Sequence, residues 1–138
     1  MPEADVDHIY DYPKGYIEDI LKSVRTIAMV GASGDKTKFS YGVLRVLHET
    51  GYQMLPVNPN PSIKEIRGLK VFHSLKEIDK PVDMVQVFRR KEEFLSVAKE
   101  AIEIKAKVLW GQIGVYDDEA AETAKKAGLK VVMNRCPK

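Results

Sequence analysis

The sequence has one cysteine, one tryptophan and three histidines in 138 residues. A lone Cys136 excludes an intramolecular disulfide and any cysteine-rich zinc site. His8, His48 and His73 are scattered, and no acid–base or metal-ligand spacing links them. No apolar run approaches the roughly 20 residues that a membrane-spanning helix needs. The start carries acids up to Asp11 where a secretory signal has a basic region and an apolar stretch, so a reducing, cytoplasmic setting is expected. A marked excess of either charge is missing as well. The net charge is +2, from 22 basic and 20 acidic residues. Nucleic acid normally selects a strongly basic face, so it is not an expected partner.

What remains is an ordinary globular composition, 44% hydrophobic and 30% charged, at a length that fits one domain. A polar lead-in over residues 1–15 precedes the domain, which is expected to cover 16–138. From Tyr16 to Val24, Ile17, Ile20, Leu21 and Val24 recur at helical spacing. Thr26 to Val30 then forms a short apolar run of strand type. A helix is predicted over about Tyr41 to Glu49, stopped by Gly51 in a left-handed cap. A strand over Tyr52 to Val57 follows, with Pro56 inside it. Ser62 with Glu65, and Ser74 with Glu77, have capping-box spacing and predict two short helices, with a strand over Leu69 to Phe72 between them. Val82 to Phe88 and Lys107 to Trp110 are further strands around a helix over about Glu92 to Ile104. Asp117 can cap a last helix that Gly128 stops, and Leu129 to Met133 closes the series. Alternating strands and helices with short connections imply a Rossmann-like α/β domain in three layers. A doubly wound parallel sheet of five or six strands would lie between two layers of helices.

Such sheets bind ligands beyond the carboxyl ends of their strands, where the strand order reverses. The loop after Val30 reads Gly31-Ala32-Ser33-Gly34-Asp35-Lys36-Thr37-Lys38-Phe39-Ser40. A strand that breaks at glycine and leads into a helix start offers backbone N–H groups and the positive end of a helix dipole. Ser33, Ser40, Lys36 and Lys38 add hydroxyl and ammonium donors, so the loop suits phosphate oxygens. The plain alternative is that Gly31 only turns the chain and the lysines are solvated. The loop has G-x-x-G but not the G-x-G-x-x-G of dinucleotide folds, and the second strand ends in Val57-Asn58-Pro59 with no carboxylate to grip a ribose. No G-x-x-x-x-G-K-[ST] is present either. Trp110 is expected in the core, and Asp117-Asp118-Glu119 as a helix-start charge pattern.

The ordered set V-G-A-S (Val30 to Ser33), G-Y-x-x-x-P-V-N-P (Gly51 to Pro59), G-L-K-V (Gly68 to Val71), V-D-M-V (Val82 to Val85), A-K-V-L-W-x-Q-x-G (Ala106 to Gly114) and A-G-L-x-V-V-M-x-R-C-P (Ala127 to Pro137) resembles the CoA-binding domain family. That family includes the N-terminal domain of the succinyl-CoA synthetase α subunit, and the likeness is nearest to its small stand-alone bacterial and archaeal members. The resemblance implies coenzyme A or acyl-CoA as ligand. Gly31, Ala32, Ser33, Lys36, Lys38, Phe39 and Ser40 would line its phosphates. Asn58 and Pro59, with Asn60 as a further polar contact, would border the adenosine. Val87 and Phe88 would cover the ligand. Many members carry prolines after this strand where this chain has Phe88-Arg89-Arg90, and Arg89 or Arg90 can meet a phosphate through a guanidinium fork. Gln112, Ile113 and Gly114 would lie near the pantetheine arm.

No metal site and no catalytic constellation accompany these loops, so ligand binding without catalysis is expected: a carrier, a sensor or a detached subunit. A homo-oligomer, or partnership with an acyl-CoA enzyme, would suit either role. Two other classes stay open at this point, a short NAD(P)-binding oxidoreductase and an interaction module that has lost its ligand. Cys136, next to Arg135, is a candidate for thiol–disulfide exchange with the CoA thiol.

Overall fold

The computed structural model describes residues 12–13 and 15–136. Most of the expected lead-in, with His8, and the last two residues, of which Pro137 ends the Ala127 to Pro137 motif, lie outside the described residues. The order of elements is α1 (Tyr16–Ser23), β1 (Thr26–Val30), α2 (Phe39–Thr50), β2 (Gln53–Val57), β3 (Glu65–Ile66), β4 (Leu69–Lys70), β5 (Met84–Val87), α3 (Phe94–Glu103), β6 (Val108–Gly111), α4 (Asp118–Lys126) and β7 (Lys130–Val132).

The main sheet has five strands in the order β2-β1-β5-β6-β7, every neighbouring pair parallel. The chain therefore builds outward from β1 to β2, returns across β1, and continues from β5 to β7. The order reverses between β1 and β5, which places the ligand crevice of this architecture at their carboxyl ends. Side chains alternate between the faces as the strand period requires. Ile27, Met29, Met84, Val108 and Trp110 pack with Ile20 of α1 and with Val43, Leu44 and Leu47 of α2. Ala28, Val85, Val87, Leu109 and Val131 pack with Val97, Ala98 and Ala101 of α3 and with Ala120, Ala121 and Ala124 of α4. This is the α/β/α doubly wound domain that the alternation of elements implies. Among the described residues, no helix is long and apolar enough to cross a membrane.

Pro56 fits because β2 is an edge strand. Val57 turns its carbonyl to the β1 side, where the Gly31 N–H meets it at 3.0 Å, so the neighbouring Pro56 faces outward and needs no partner for an N–H. Its carbonyl accepts the Phe72 N–H at 2.9 Å, and Val57 and Phe72 form an isolated parallel bridge.

Two expectations fail between β2 and β5. The helix proposed on Ser62 and Glu65 is absent: Glu65 begins β3, which pairs antiparallel with β4. Asn60 Oδ1 accepts both the Ser62 N–H at 3.0 Å and the Ser62 hydroxyl at 2.8 Å, forming a side-chain-supported turn. Arg67 and Gly68, at φ 56° and 80°, then form the tight turn that two-residue hairpins favour. The helix expected after Ser74 is a single 3-10 turn, Leu75–Glu77. Ser74 makes no side-chain cap, and Glu77 Oε1 instead accepts the His73 N–H at 3.0 Å.

At the amino end of the sheet, Asp83 Oδ2 accepts the N–H groups of Arg25 at 2.8 Å and Thr26 at 3.2 Å. Burial pushes this carboxyl up, but those two N–H groups and Lys107 outweigh it and hold it below the ordinary value. A folded-state value below the unfolded one gives stability that is present above the unfolded value and is lost as pH falls through the folded one. Asp83→Asn is therefore expected to cost about 1 kcal/mol at neutral pH. It should also shrink the loss of stability that the unaltered protein shows below pH ~4. Urea midpoints measured from pH 7 to pH 3 check both effects.

Candidate functional site

The register sets the site. Val30 lies beside Val57 and Val87, and Val87 beside Gly111, so the loops after β1, β2, β5 and β6 leave the sheet at one level. Gly31 is where two of them meet. It has φ 92°, and a Cβ there would lie 2.5 Å from the Phe88 carbonyl oxygen. Glycine is needed both for that backbone conformation and for the close approach. Phe88 N–H donates to the Val30 carbonyl at 2.7 Å. The N–H groups of Gly31 and Ala32 both donate to the Val57 carbonyl, at 3.0 and 3.3 Å. The first two amides of the glycine turn thus fasten the β1 loop to β2 and are not open donors.

The donors lie further along. Ser33 Oγ accepts the Asp35 N–H at 3.0 Å. Asp35 Oδ1 accepts the Thr37 hydroxyl at 2.6 Å and the Thr37 N–H at 2.9 Å. These bonds from Thr37, hydroxyl first, with Lys38 beside them, hold the Asp35 carboxyl below its ordinary range. The turn delivers Lys38 to the N-cap of α2. No side chain caps that helix, and its first turn holds no acid. The contrast is α4, where Asp117 Oδ1 accepts from Glu119 and Ala120 and two more acids follow. The positive end of α2 is left for another anion to complement.

It faces a cavity of about 410 Å³. Gly31, Ala32 and Ser33 come to it from the β1 loop, Lys38, Phe39 and Ser40 from the start of α2, and Asn58, Phe88 and Arg89 from the two flanking loops. Asn58 ties its loop in place: Nδ2 donates to the Ala32 carbonyl at 2.8 Å, and Oδ1 accepts the Asn60 N–H at 2.9 Å. Phe39, 51% exposed, meets Phe88 edge-on with centroids 6.3 Å apart. A second cavity of about 320 Å³ opens on the α3 side. Val30, Val57, Pro59, His73 and Ser74 line it from the sheet end, and Glu93, Ser96, Val97 and Glu100 from the α3 side. Arg89 borders both cavities. Its Nε and Nη2 donate to Glu93 Oε1 at 3.1 and 2.6 Å, and Arg90 Nε donates to Glu93 Oε2 at 3.2 Å. The two arginines, Arg89 first, hold the Glu93 carboxyl below its ordinary value.

Several candidates lie elsewhere. Lys36 is exposed and borders neither cavity. Asn60 is engaged in its own turn, and the Arg90 side chain is 82% exposed on the far side of Glu93. Val87 is fully buried in the α3/α4-side core. Gln112 is buried and accepts from Gln86 Nε2 at 3.0 Å, while Gln86 Oε1 and Gln112 Nε2 have no protein partner among the described residues. Ile113 is 61% exposed, and Gly114, at φ 88°, donates its N–H to Asn134 Oδ1 at 2.7 Å. Cys136 is half-buried against the α1/α2-side core. Trp110 lies wholly within that core, and its Nε1–H donates to the Arg135 carbonyl at 2.9 Å. Among the described residues, no group of three or more His, Cys, Asp or Glu side chains could hold a metal ion. Sequence reasoning passed over Gln86, although a glutamine inside the run V-D-M-V-Q-V-F was a visible break. It gave no ligand-site role to His73, Ser74 or Glu93, which only the tertiary fold brings to the second cavity.

The profile of the CoA binding domain matches residues 25–138. The uncharacterized protein YneT of Bacillus subtilis is 42% identical over 125 residues, 91% of each chain. A hypothetical protein from Pyrococcus horikoshii OT3 has a solved structure that superposes with a TM-score of 0.84 at 33% identity, covering 93% of this chain and 92% of that one. The alpha subunit of the ADP-forming acetate–CoA ligase II of Pyrococcus furiosus is 30% identical over 129 residues. That match takes in 86% of this chain but 28% of the subunit.

Proposed function

The chain belongs to the CoA-binding domain family, and from that premise we propose that it binds CoA or an acyl-CoA across the two cavities and holds it without transforming it. The carrying observation is the uncapped, acid-free start of α2, opening with Lys38 into a cavity that also contains Arg89. The diphosphate would sit there, against Ser33, Lys38 and Ser40. The adenosine would enter the second cavity, between the apolar wall of Val30 and Val57 and the side of Pro59. Cavities of about 410 and 320 Å³ are of the size that small ligands occupy. An NAD-type grip is disfavoured, because a dinucleotide fold ends this strand with a ribose-binding carboxylate. Here Asn58 stands at that place, with its amide engaged by Ala32 and Asn60. Binding without catalysis is supported by the surroundings of the two described histidines. His48 borders a different groove at the β2 edge, and His73 is engaged by Glu77 and the Ile63 carbonyl. Similarity to one segment of an acetate–CoA ligase subunit supports a partner enzyme that acts on the bound thioester.

Calorimetric titration with CoA, acetyl-CoA, NAD and NADP tests this reading. CoA and acetyl-CoA should bind and NAD should not. Binding of NAD without CoA would overturn it, and binding of none would favour an interaction module. Lys38→Ala should weaken CoA binding about fivefold and reduce its salt dependence. Lys36→Ala, outside the cavities, should change it less than about twofold. Equal effects from the two lysines would place the diphosphate elsewhere.

A further inference from the structure

Arg89 stands on the line between the two cavities, and its position is fixed. Both bonds to Glu93 Oε1, at 3.1 and 2.6 Å, come from one edge of the guanidinium. Glu93 ends the 3-10 turn Lys91–Glu93 that leads into α3, whose first residue, Phe94, is fully buried. The anchor of Arg89 is therefore attached to the core. The Arg89 side chain is 36% exposed, and its Nη1 makes no hydrogen bond among the described residues. That edge is the part of the fork still available to a ligand.

An adenine nucleotide with its base in one cavity and its diphosphate in the other puts its ribose at this boundary. The end of β2 offers no carboxylate to repel a charged ribose substituent. Glu100 lines the second cavity from the α3 side and makes that wall unsuited to a phosphate, which leaves the Arg89 edge as the place for one. Glu93 is itself compensated by Arg89 and Arg90. We infer that Arg89, held in place by Glu93, binds a phosphomonoester on the ribose and so makes the site selective for CoA over 3′-dephospho-CoA. The inference rests on the CoA reading above and adds to it the part of the ligand that is discriminated.

The test is calorimetry with CoA and 3′-dephospho-CoA on the unaltered protein and on Arg89→Met, Arg89→Lys and Glu93→Gln. The unaltered protein should prefer CoA by about tenfold, the worth of one charge-assisted hydrogen bond in a partly exposed place. Arg89→Met should bring the ratio close to one, through a loss for CoA about tenfold larger than the loss for dephospho-CoA. Arg89→Lys, which keeps the charge and loses the fork, should keep part of the preference. Glu93→Gln separates positioning from charge. Removing an anion near the site should by charge alone strengthen CoA binding, whereas loss of the anchor should lower the ratio, and the lower ratio is expected. If CoA binds but the two ligands bind equally, or the ratio survives in Arg89→Met, the inference fails and the CoA reading stands. If the unaltered protein binds neither ligand, both fail together.

Discussion

Gly31→Ala is expected to destabilise the protein by about 3 kcal/mol, from the cost of a left-handed non-glycine backbone and of overpacking. The new methyl group would meet the Phe88 carbonyl oxygen at 2.5 Å and the Phe88 carbonyl carbon at 2.9 Å. Neither atom can swing aside as a side-chain tip would, because Phe88 N–H is bonded to the Val30 carbonyl. Relief requires the loops after β1 and β5 to separate, and that moves Arg89 off the boundary between the cavities. CoA affinity should consequently fall more than tenfold in the variant that still folds. Gly114→Ala is the control. It has a similar φ of 88° with nothing within 4 Å of the added carbon, so it should cost only about 1 kcal/mol. Urea unfolding with unchanged slopes gives the two values. Equal costs would show that the approach of Gly31 to Phe88 is not what constrains the site.

Trp110→Ala should cost about 4 kcal/mol, in the range for deleting a large buried aromatic. Trp110 is wholly buried, lies in register between Gln86 and Val132, and shares the α1/α2-side core with Met29 and Leu44. Its Nε1–H also ties down the chain end through the Arg135 carbonyl, which the alanine variant leaves without that donor. Trp110→Phe divides the two contributions. It keeps most of the apolar volume and should lose about 1 kcal/mol for the hydrogen bond, plus a smaller packing defect. Since Trp110 is the sole tryptophan, circular dichroism rather than fluorescence should follow the unfolding. A drop in melting temperature on the order of 10 °C is expected for the alanine variant. A drop near zero would mean that Trp110 does not hold the α1/α2-side core in place.

The layers of the fold were legible because the apolar pattern carries them. The short apolar runs Thr26 to Val30 and Val82 to Phe88, and the helical spacing in residues 16–24 and 92–104, follow from burial on both faces of the strands and on one face of the helices. The hairpin was not legible. Capping-box spacing at Ser62 and Glu65 is a local signal, and it was overridden by the Asn60 turn and by the positive φ values of Arg67 and Gly68. At the site, the loop was visible but its wiring was not. Which N–H groups remain open depends on Val57 lying beside Val30, a pairing of residues 27 positions apart in the chain. Lys36 and Lys38 look equivalent in the sequence, and the Asp35–Thr37 turn separates them by placing only Lys38 at the helix start. Arg89 and Glu93 have the spacing of a helical ion pair. Their meaning as a fixed cation between two cavities appears only when β2, β5 and α3 are assembled around them.

Titration of CoA into the isotope-labelled protein, followed by amide NMR, tests the central claim most directly, because one measurement reports both whether CoA binds and where. The account predicts saturable shifts concentrated at Ser33, Lys38 to Ser40, Asn58, Phe88 and Arg89, with NAD at the same concentration leaving these signals in place. No saturable shifts with CoA, or shifts confined to residues away from the carboxyl ends of β1, β2 and β5, would contradict it.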